Sequence, residues 1–333
     1  MVRKFKIGVI GSGSWATALV YILTTKRYNV NWLVRKPENI EYFITHKRNP
    51  NYLRDLELKI KRIAFYTSPE EMINDSEVVL LAIPSAFLLD IIKNIPASVW
   101  KEKFIISAIK GLLTNKNLSI FQYFTEELNV PKENLLVVAG PSHAEEVALN
   151  RKTYLTLGTI NKRLGNRLCK MFSIKNFLHT RYTNDILGIE YAAVLKNIYA
   201  IGIGIAHGLG YGDNFIAILF SRAAQETQEF LNALHITNRN LLTSPYIGDL
   251  VVTAYSPFSR NRTFGTMIGK GYSVKTAQLE MNMIAEGYYN AKSIYEINKR
   301  LGADINFAEL VYKILYENAS PHKEFTQLEK ILM

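Results

Sequence analysis

A single cysteine, Cys169, stands among 333 residues, which excludes an intrachain disulfide framework and leaves one buried thiol as the expectation. Six histidines (His46, His143, His179, His207, His235 and His322) show no paired ligand spacing, so no metal centre is expected. No uninterrupted apolar run reaches 18 residues, and there is neither an internal repeat nor a low-complexity tract. The opening MVRKFKIGVIGSG has an apolar run too short and too broken by glycine for a secretory signal. A soluble, cytoplasmic protein with no membrane span is the expectation. The net charge is +11, yet the cations form no run long enough to read as a nucleic-acid arm.

What is present suits a large core. The composition is 48% hydrophobic, enough at this length for two domains, expected over residues 1–184 and 185–333. Charge divides unevenly between them. The first part carries 27 Lys+Arg against 15 Asp+Glu, and the second 13 against 14. That excess points to an anionic ligand in the first half, which a nucleotide satisfies as well as a nucleic acid does. Most of these lysines (Lys26, Lys59, Lys101, Lys170) are scattered and read as a solvated surface.

Residues 5–10 (FKIGVI) form a short buried strand, followed at once by Gly11-Ser12-Gly13-Ser14-Trp15-Ala16 and a helix over 17–23. This is the GxGxxA dinucleotide fingerprint. Gly11 permits the tight turn, Gly13 lets the backbone approach a pyrophosphate, and Ala16 allows close helix–strand packing. The helix N-terminus then offers N–H groups to the phosphates. A second strand, 30–34, ends in Arg35-Lys36, where an NAD-restricted site would place an acid. Two cations suit a 2′-phosphate, so NADPH joins NAD as an expected cofactor.

Strands are expected at 63–66, 77–83, 104–108, 135–139, 154–157 and 177–179, with helices at 37–46, 69–74, 87–94, 144–149 and 162–172. The alternation predicts an α/β doubly wound parallel sheet of the Rossmann type. Arg35, Pro84-Ser85, Lys110 and Gly140-Pro141-Ser142 fall at successive strand ends, where such sheets collect ligands.

No such alternation follows residue 185, and an all-α domain is expected. Residues 190–206 (EYAAVLKNIYAIGIGIA) are apolar on nearly every side, marking a helix buried all round. Lys196 and Asn197 interrupt it ~100° apart, which lets both face one cavity. A buried ammonium needs partners or a task. Two readings stay open: a pair with Glu190 that fixes packing, or a group that moves protons. A glycine cluster at 207–214 follows, then helices at 215–234, 241–255, 274–281, 288–300 and 306–317. Ile247-Gly248-Asp249-Leu250 and Ser259-Arg260-Asn261 supply polar groups between helices, and the Arg260 guanidinium suits a phosphate.

In order, GSGSWATAL, NPNYL, IPS, IKG, AGPSHAEEVA, EYAAVLKN, GLGYGDN, GDL, SRNRTFG and AEG resemble the NAD(P)-dependent glycerol-3-phosphate dehydrogenase family of bacterial type nearly end to end. The resemblance implies interconversion of dihydroxyacetone phosphate and sn-glycerol 3-phosphate for glycerophospholipid synthesis, and a homodimer. It implies Lys196 as proton donor or acceptor, with Asn197, Asp249 and Lys110 around it. Substrate contacts fall to Lys110, Gly140, Ser142, Asp249, Ser259, Arg260 and Asn261. Cofactor contacts fall to Gly11, Gly13, Ser14, Trp15, Arg35, Lys36, Lys110, Ala144, Arg260, Ile284 and Glu286. Departures are local: Ala16 for glycine, His143 for an aromatic, Arg54-Asp55 for Pro-Gly, and Ser221-Arg222-Ala223 for Thr-Arg-Gly. The rival readings are another two-domain NAD(P)-dependent reductase of a small carbonyl acid or phosphate, and a catalytically silent NAD(P)-binding sensor. A nucleic-acid binder is a third, which steep salt dependence of binding would reveal.

Overall fold

The computed structural model describes residues 5–236, 239–281 and 285–332. Two compact units emerge: Met1–Ile109 with Ile120–Ile186, and Lys110–Ser119 with Leu187–Met333. A division at 184/185 therefore differs in one important respect, since Lys110–Ser119 groups with the second unit.

The first unit holds eight strands: β1 Ile7–Ile10, β2 Val30–Leu33, β3 Ile63–Tyr66, β4 Val78–Leu81, β5 Phe104–Ser107, β6 Leu135–Ala139, β7 Thr153–Gly158 and β8 Leu178–Thr183. They form one sheet in the order β3-β2-β1-β4-β5-β6-β7-β8. Its helices are α1 Ser14–Thr25, α2 Pro37–His46, α3 Pro69–Asn74, α4 Leu88–Ile92, α5 Ala97–Lys101, α6 Ile120–Gln122, α7 Ala144–Ala148 and α8 Lys162–Phe172. Strands such as β1 (IGVI) and β4 (VVLL) are buried at every position, the pattern of a sheet covered on both faces. Side chains alternate accordingly. Ile7 and Val9 join α1 residues Ala16, Leu19 and Leu23 in one core. Gly8 turns to the other face, where a Cβ would run into Met72 and Ser76 around α3.

One pairing departs from the all-parallel expectation: β6 and β7 run antiparallel, with Val137 opposite Gly158 and Ala139 opposite Thr156. The cause is the short α7. Five helical residues rise ~7.5 Å, less than half the ~16 Å needed to carry the chain back along a five-residue strand. The chain therefore re-enters the sheet at the end where it left.

The second unit is helical: α9 Ile186–Gly208, α10 Asp213–Ala233, α11 Asp249–Tyr255, α12 Arg260–Gly269, α13 Val274–Glu280, α14 Glu286–Leu301, α15 Asn306–Tyr316 and α16 Pro321–Leu332. Two of these, α12 and α16, are absent from the helices expected from sequence, and a helix expected at 241–255 is instead a π-turn, Ser244–Gly248, leading into α11. Ser259 starts α12 as its N-cap, accepting from the Arg262 N–H at 3.3 Å. At α15 the cap comes from another helix: Glu226 of α10 accepts the Phe307 and Ala308 N–H groups at 2.7 and 3.1 Å, and Arg222 at 2.8 Å. Burial pushes the Glu226 carboxyl up to about 7 against these three donors.

Among the described residues α9 is the one helix long and apolar enough to cross a membrane, and 94% of its apolar window is buried inside the protein. Its neighbours approach to backbone contact. A Cβ on Gly204 or Gly208 would strike the Arg262 or Thr266 carbonyl of α12, and one on Gly265 or Gly269 the Ile201 or Ile205 carbonyl of α9. Gly287, near the start of α14, lies equally close to the Asn197 carbonyl. These contacts position the polar residues of α9. Gly265→Ala should therefore cost roughly 1–3 kcal/mol or more, because a backbone carbonyl cannot swing aside. Its denaturant midpoint should fall well below wild type, and an unchanged midpoint would show that α9 and α12 can separate freely.

Candidate active site

In the first unit the fingerprint turn is fixed from inside. Trp32 Nε1–H donates to the Gly11 carbonyl at 2.6 Å, Asn49 Nδ2–H to the Ser12 carbonyl at 3.1 Å, and Thr17 Oγ1–H to the Gly13 carbonyl at 2.8 Å. Asn49 Nδ2 also donates to Thr17 Oγ1 at 2.7 Å, and its Oδ1 accepts the Asn51 and Tyr52 N–H groups. With three successive carbonyls drawn inward, the turn holds its shape without a ligand. Gly11 has φ +119°, and a Cβ there would strike the Ala82 carbonyl. Gly13, by contrast, has nothing within 4 Å of where a Cβ would point, and α1 has no side-chain cap. An open glycine face at a helix N-terminus fits the pyrophosphate of a dinucleotide.

Around it, Ser14 is buried in the first turn of α1 and Trp15 lies against the core. Arg35 and Lys36 are exposed just past β2. Gly140 has φ +111° at the end of β6, where a Cβ would lie 2.7 Å from the Tyr154 carbonyl. Ser142 Oγ–H donates to the Gly140 carbonyl at 2.9 Å, and Ala144 opens α7.

The second unit gathers Lys196, Asp249 and Lys110. Lys196 and Asp249 are 4% and 1% exposed, so both charges have lost nearly all their water. The Lys196 ammonium donates to Asp249 Oδ1 and, at 2.8 Å, to Thr253 Oγ1. Lys110 Nζ stands 3.8 Å from the other carboxylate oxygen, Asp249 Oδ2. One carboxylate thus faces two ammonium groups. Burial pulls the Lys196 pKa down to about 7; Asp249 opposes the fall and Lys110 adds to it. Desolvation wins, a balance that sequence alone leaves open. An amine that changes charge near neutrality can both give and take a proton.

A chain of asparagine amides holds this cluster. Asn261 Oδ1 accepts the Gly287 N–H at 2.9 Å, and Asn261 Nδ2 donates to Asn197 Oδ1 at 3.0 Å. Asn197 Nδ2 in turn donates to the Lys110 carbonyl at 2.9 Å. Ser259 and Arg260 stand where α12 begins, with Glu286 at the start of α14. Ile284 lies outside the described residues. Among the described residues no three His, Cys, Asp or Glu side chains cluster as a metal site.

Thr253 and Asn49 were not singled out from the sequence. Thr253 had a readable signal, since it follows Asp249 by four residues on one helix and so shares its face. Asn49 lies in NPNYL, but nothing local says that its amide reaches back 37 residues to the glycine turn.

Two family models match the chain: NAD-dependent glycerol-3-phosphate dehydrogenase N-terminus over residues 6–164, and the C-terminus of the same family over 185–326. Similar curated proteins include a glycerol-3-phosphate dehydrogenase [NAD(P)+] of Clostridium botulinum (strain Eklund 17B / Type B), 33% identical over 95% of this chain and 94% of that protein. One of Streptococcus agalactiae serotype V is 34% identical over 96% and 94%. Among solved structures, a glycerol-3-phosphate dehydrogenase from Coxiella burnetii matches with TM-score 0.90 and 26% identity, covering 98% of each chain.

The titration of Lys196 is directly measurable. Its ε-carbon resonance should report a midpoint near 7 in the free protein. Asp249→Asn should lower that midpoint, because the anion that favours the charged form is gone. Lys110→Met should raise it, by removing a like charge. A midpoint near the unperturbed ~10.4 would contradict the burial argument.

Proposed function

The chain belongs to the NAD-dependent glycerol-3-phosphate dehydrogenase family, and from that premise we propose that Lys196 exchanges a proton with the C2 oxygen of the substrate. The enzyme is an NAD(P)-dependent oxidoreductase interconverting dihydroxyacetone phosphate and sn-glycerol 3-phosphate, the backbone of glycerophospholipids. The observation that carries the role of Lys196 is its burial beside Asp249, Thr253 and Lys110, with a pKa drawn down to about 7.

Bound NAD(P)H supplies the hydride. Gly11, Gly13, Ser14 and Trp15 form the turn that receives its pyrophosphate, and the family resemblance alone gives Ala144, Lys110, Arg260, Ile284 and Glu286 a cofactor role. Arg35 and Lys36, exposed where an acid would restrict the site to NAD, accommodate a 2′-phosphate, so NADPH is accepted.

Lys196 delivers its proton as negative charge develops on the C2 oxygen, and takes it back in the oxidative direction. Lys110 stabilises the same charge as a second ammonium. Asp249 keeps both cations in place, while Asn197 holds the Lys110 backbone and adds a polar edge. Ser259, Arg260 and Asn261, at the N-terminal end of α12, bind the substrate phosphate, where helix dipole and guanidinium both favour an anion. Gly140 and Ser142 keep the substrate-contact role that the family resemblance gives them. A cytoplasmic homodimer is the proposed working form, on that resemblance alone.

Following NADH and NADPH absorbance with dihydroxyacetone phosphate, and with unphosphorylated dihydroxyacetone, tests the reading. Arg260→Ala should lose roughly 10- to 100-fold in kcat/KM on the phosphorylated substrate, the size of a lost charge-assisted contact. The slow reaction of dihydroxyacetone should change little. Equal losses on both substrates would remove Arg260 from phosphate recognition.

A further inference from the structure

Asn290 belongs to no motif, yet it is 0% exposed in the first half of α14 and every polar edge of it that the fold engages points to one place. Its Nδ2–H donates to the Lys110 carbonyl at 3.1 Å, and its Oδ1 accepts the Leu112 N–H at 3.3 Å. Only this orientation of the amide satisfies both groups, since a carbonyl needs a donor and an N–H an acceptor. One carboxamide therefore spans the C=O of residue 110 and the N–H of residue 112, as the edge of a neighbouring strand would. Gly111 lies between them.

The rest of this segment is anchored further along. Leu113 N–H donates to the Leu118 carbonyl at 2.9 Å, and Asn117 Nδ2 to Glu296 at 2.7 Å. At the Lys110 end the carbonyl has two donors, Asn197 and Asn290, which fill both of its lone pairs. The Lys110 ammonium reaches Asp249 from that fixed point.

We propose that Asn290 is a positioning residue, whose carboxamide fixes the Lys110 backbone so that the Lys110 ammonium stands beside the Lys196–Asp249 pair. The proposal rests on the reading of Lys110 as a member of the catalytic set. Two charged groups act on Lys196: Asp249 from α11, which favours its charged form, and Lys110, which opposes it. Slackening the Lys110 end relieves that opposition, so the pH dependence of Lys196 registers the position of Lys110. A residue that merely packed would leave it unchanged.

The test compares wild type, Asn290→Ala, Lys110→Met and the double variant, with the far-UV circular dichroism spectrum and a cooperative denaturant transition as the check on folding. In dihydroxyacetone phosphate reduction the wild-type kcat/KM should decline as pH rises through about 7, where Lys196 of the substrate-free enzyme loses its proton. Asn290→Ala should lower kcat roughly 10- to 100-fold, the scale of a small misplacement of a catalytic group. Its KM should change less, and its pH limb should move upward. The double variant should be no slower than Lys110→Met, within about twofold, because the two residues act as one unit. Independent, multiplying losses would overturn the proposal, as would a wild-type pH limb and turnover in Asn290→Ala. If Lys110→Met keeps full turnover and the wild-type limb, the reading of Lys110 itself falls. Should Asn290→Ala fail to fold, Asn290→Ser, too short to bridge both groups, is measured in the same way. Failure of both to yield a protein with the wild-type circular dichroism spectrum and a cooperative denaturant transition would confine Asn290 to folding and overturn the role.

Discussion

The buried ammonium of Lys196 is the constraint on which the second unit depends. Taking an ammonium and a carboxylate out of water costs several kcal/mol each after relaxation. Here Asp249 and Thr253 recover part of that through short, direct contacts, and Lys110 shares the same carboxylate. Burial sets Lys196 near neutrality, with Asp249 opposing the fall and Lys110 adding to it. Ammonium groups held in so dry a place are well suited to stabilising a developing oxyanion.

Such a cluster works only if its members cannot drift, and the surrounding structure supplies that rigidity by two routes. Glycines at 204, 208, 265, 269 and 287 bring α12 and α14 into backbone contact with α9, so the helices bearing Lys196 and Asn261 have no room to slide. The amides of Asn261, Asn197 and Asn290 then run from the start of α14 to the Lys110 carbonyl. In the first unit the same logic appears at the glycine turn, where Trp32, Asn49 and Thr17 each hold one carbonyl. Hydrogen bonds hold both places in shape, and at the glycine turn they point inward and leave the Gly13 face open.

Much of this could be read from the sequence, for physical reasons. Fully buried strands such as VVLL and LLVVA have a period and length that admit few alternatives, and the turn at Gly11 demands glycine because of its φ. The apolar environment of Lys196 was visible in EYAAVLKN. What stayed hidden depends on distance in the chain. The partner of Lys196 is 53 residues away, so the helix alone offered only Glu190 as its pair, and Asp249 was indicated solely by the family resemblance. The shortness of α7 was legible, since the helix expected at 144–149 is nearly its true length; its consequence for the direction of β7 is a constraint of the sheet, not of local propensity. Helix α12 was obscured because its opening, Ser259-Arg260-Asn261, is polar and attracts attention as a ligand site, although Ser259 is also the N-cap. The grouping of Lys110–Ser119 with the helical unit has no local signal at all, since it is set by Asn197, Asn290 and Glu296 far along the chain.

The central claim is that Lys196 moves the proton, and single-turnover hydride transfer tests it most directly. The variant is Lys196→Met, close to wild type in length and apolar, as its surroundings on α9 are. Measured on folded protein at saturating NAD(P)H and dihydroxyacetone phosphate, its rate should fall by ~10²–10⁴ while cofactor binding is retained. A rate within about threefold of wild type, far short of a lost general acid, would contradict the account and return Lys196 to packing.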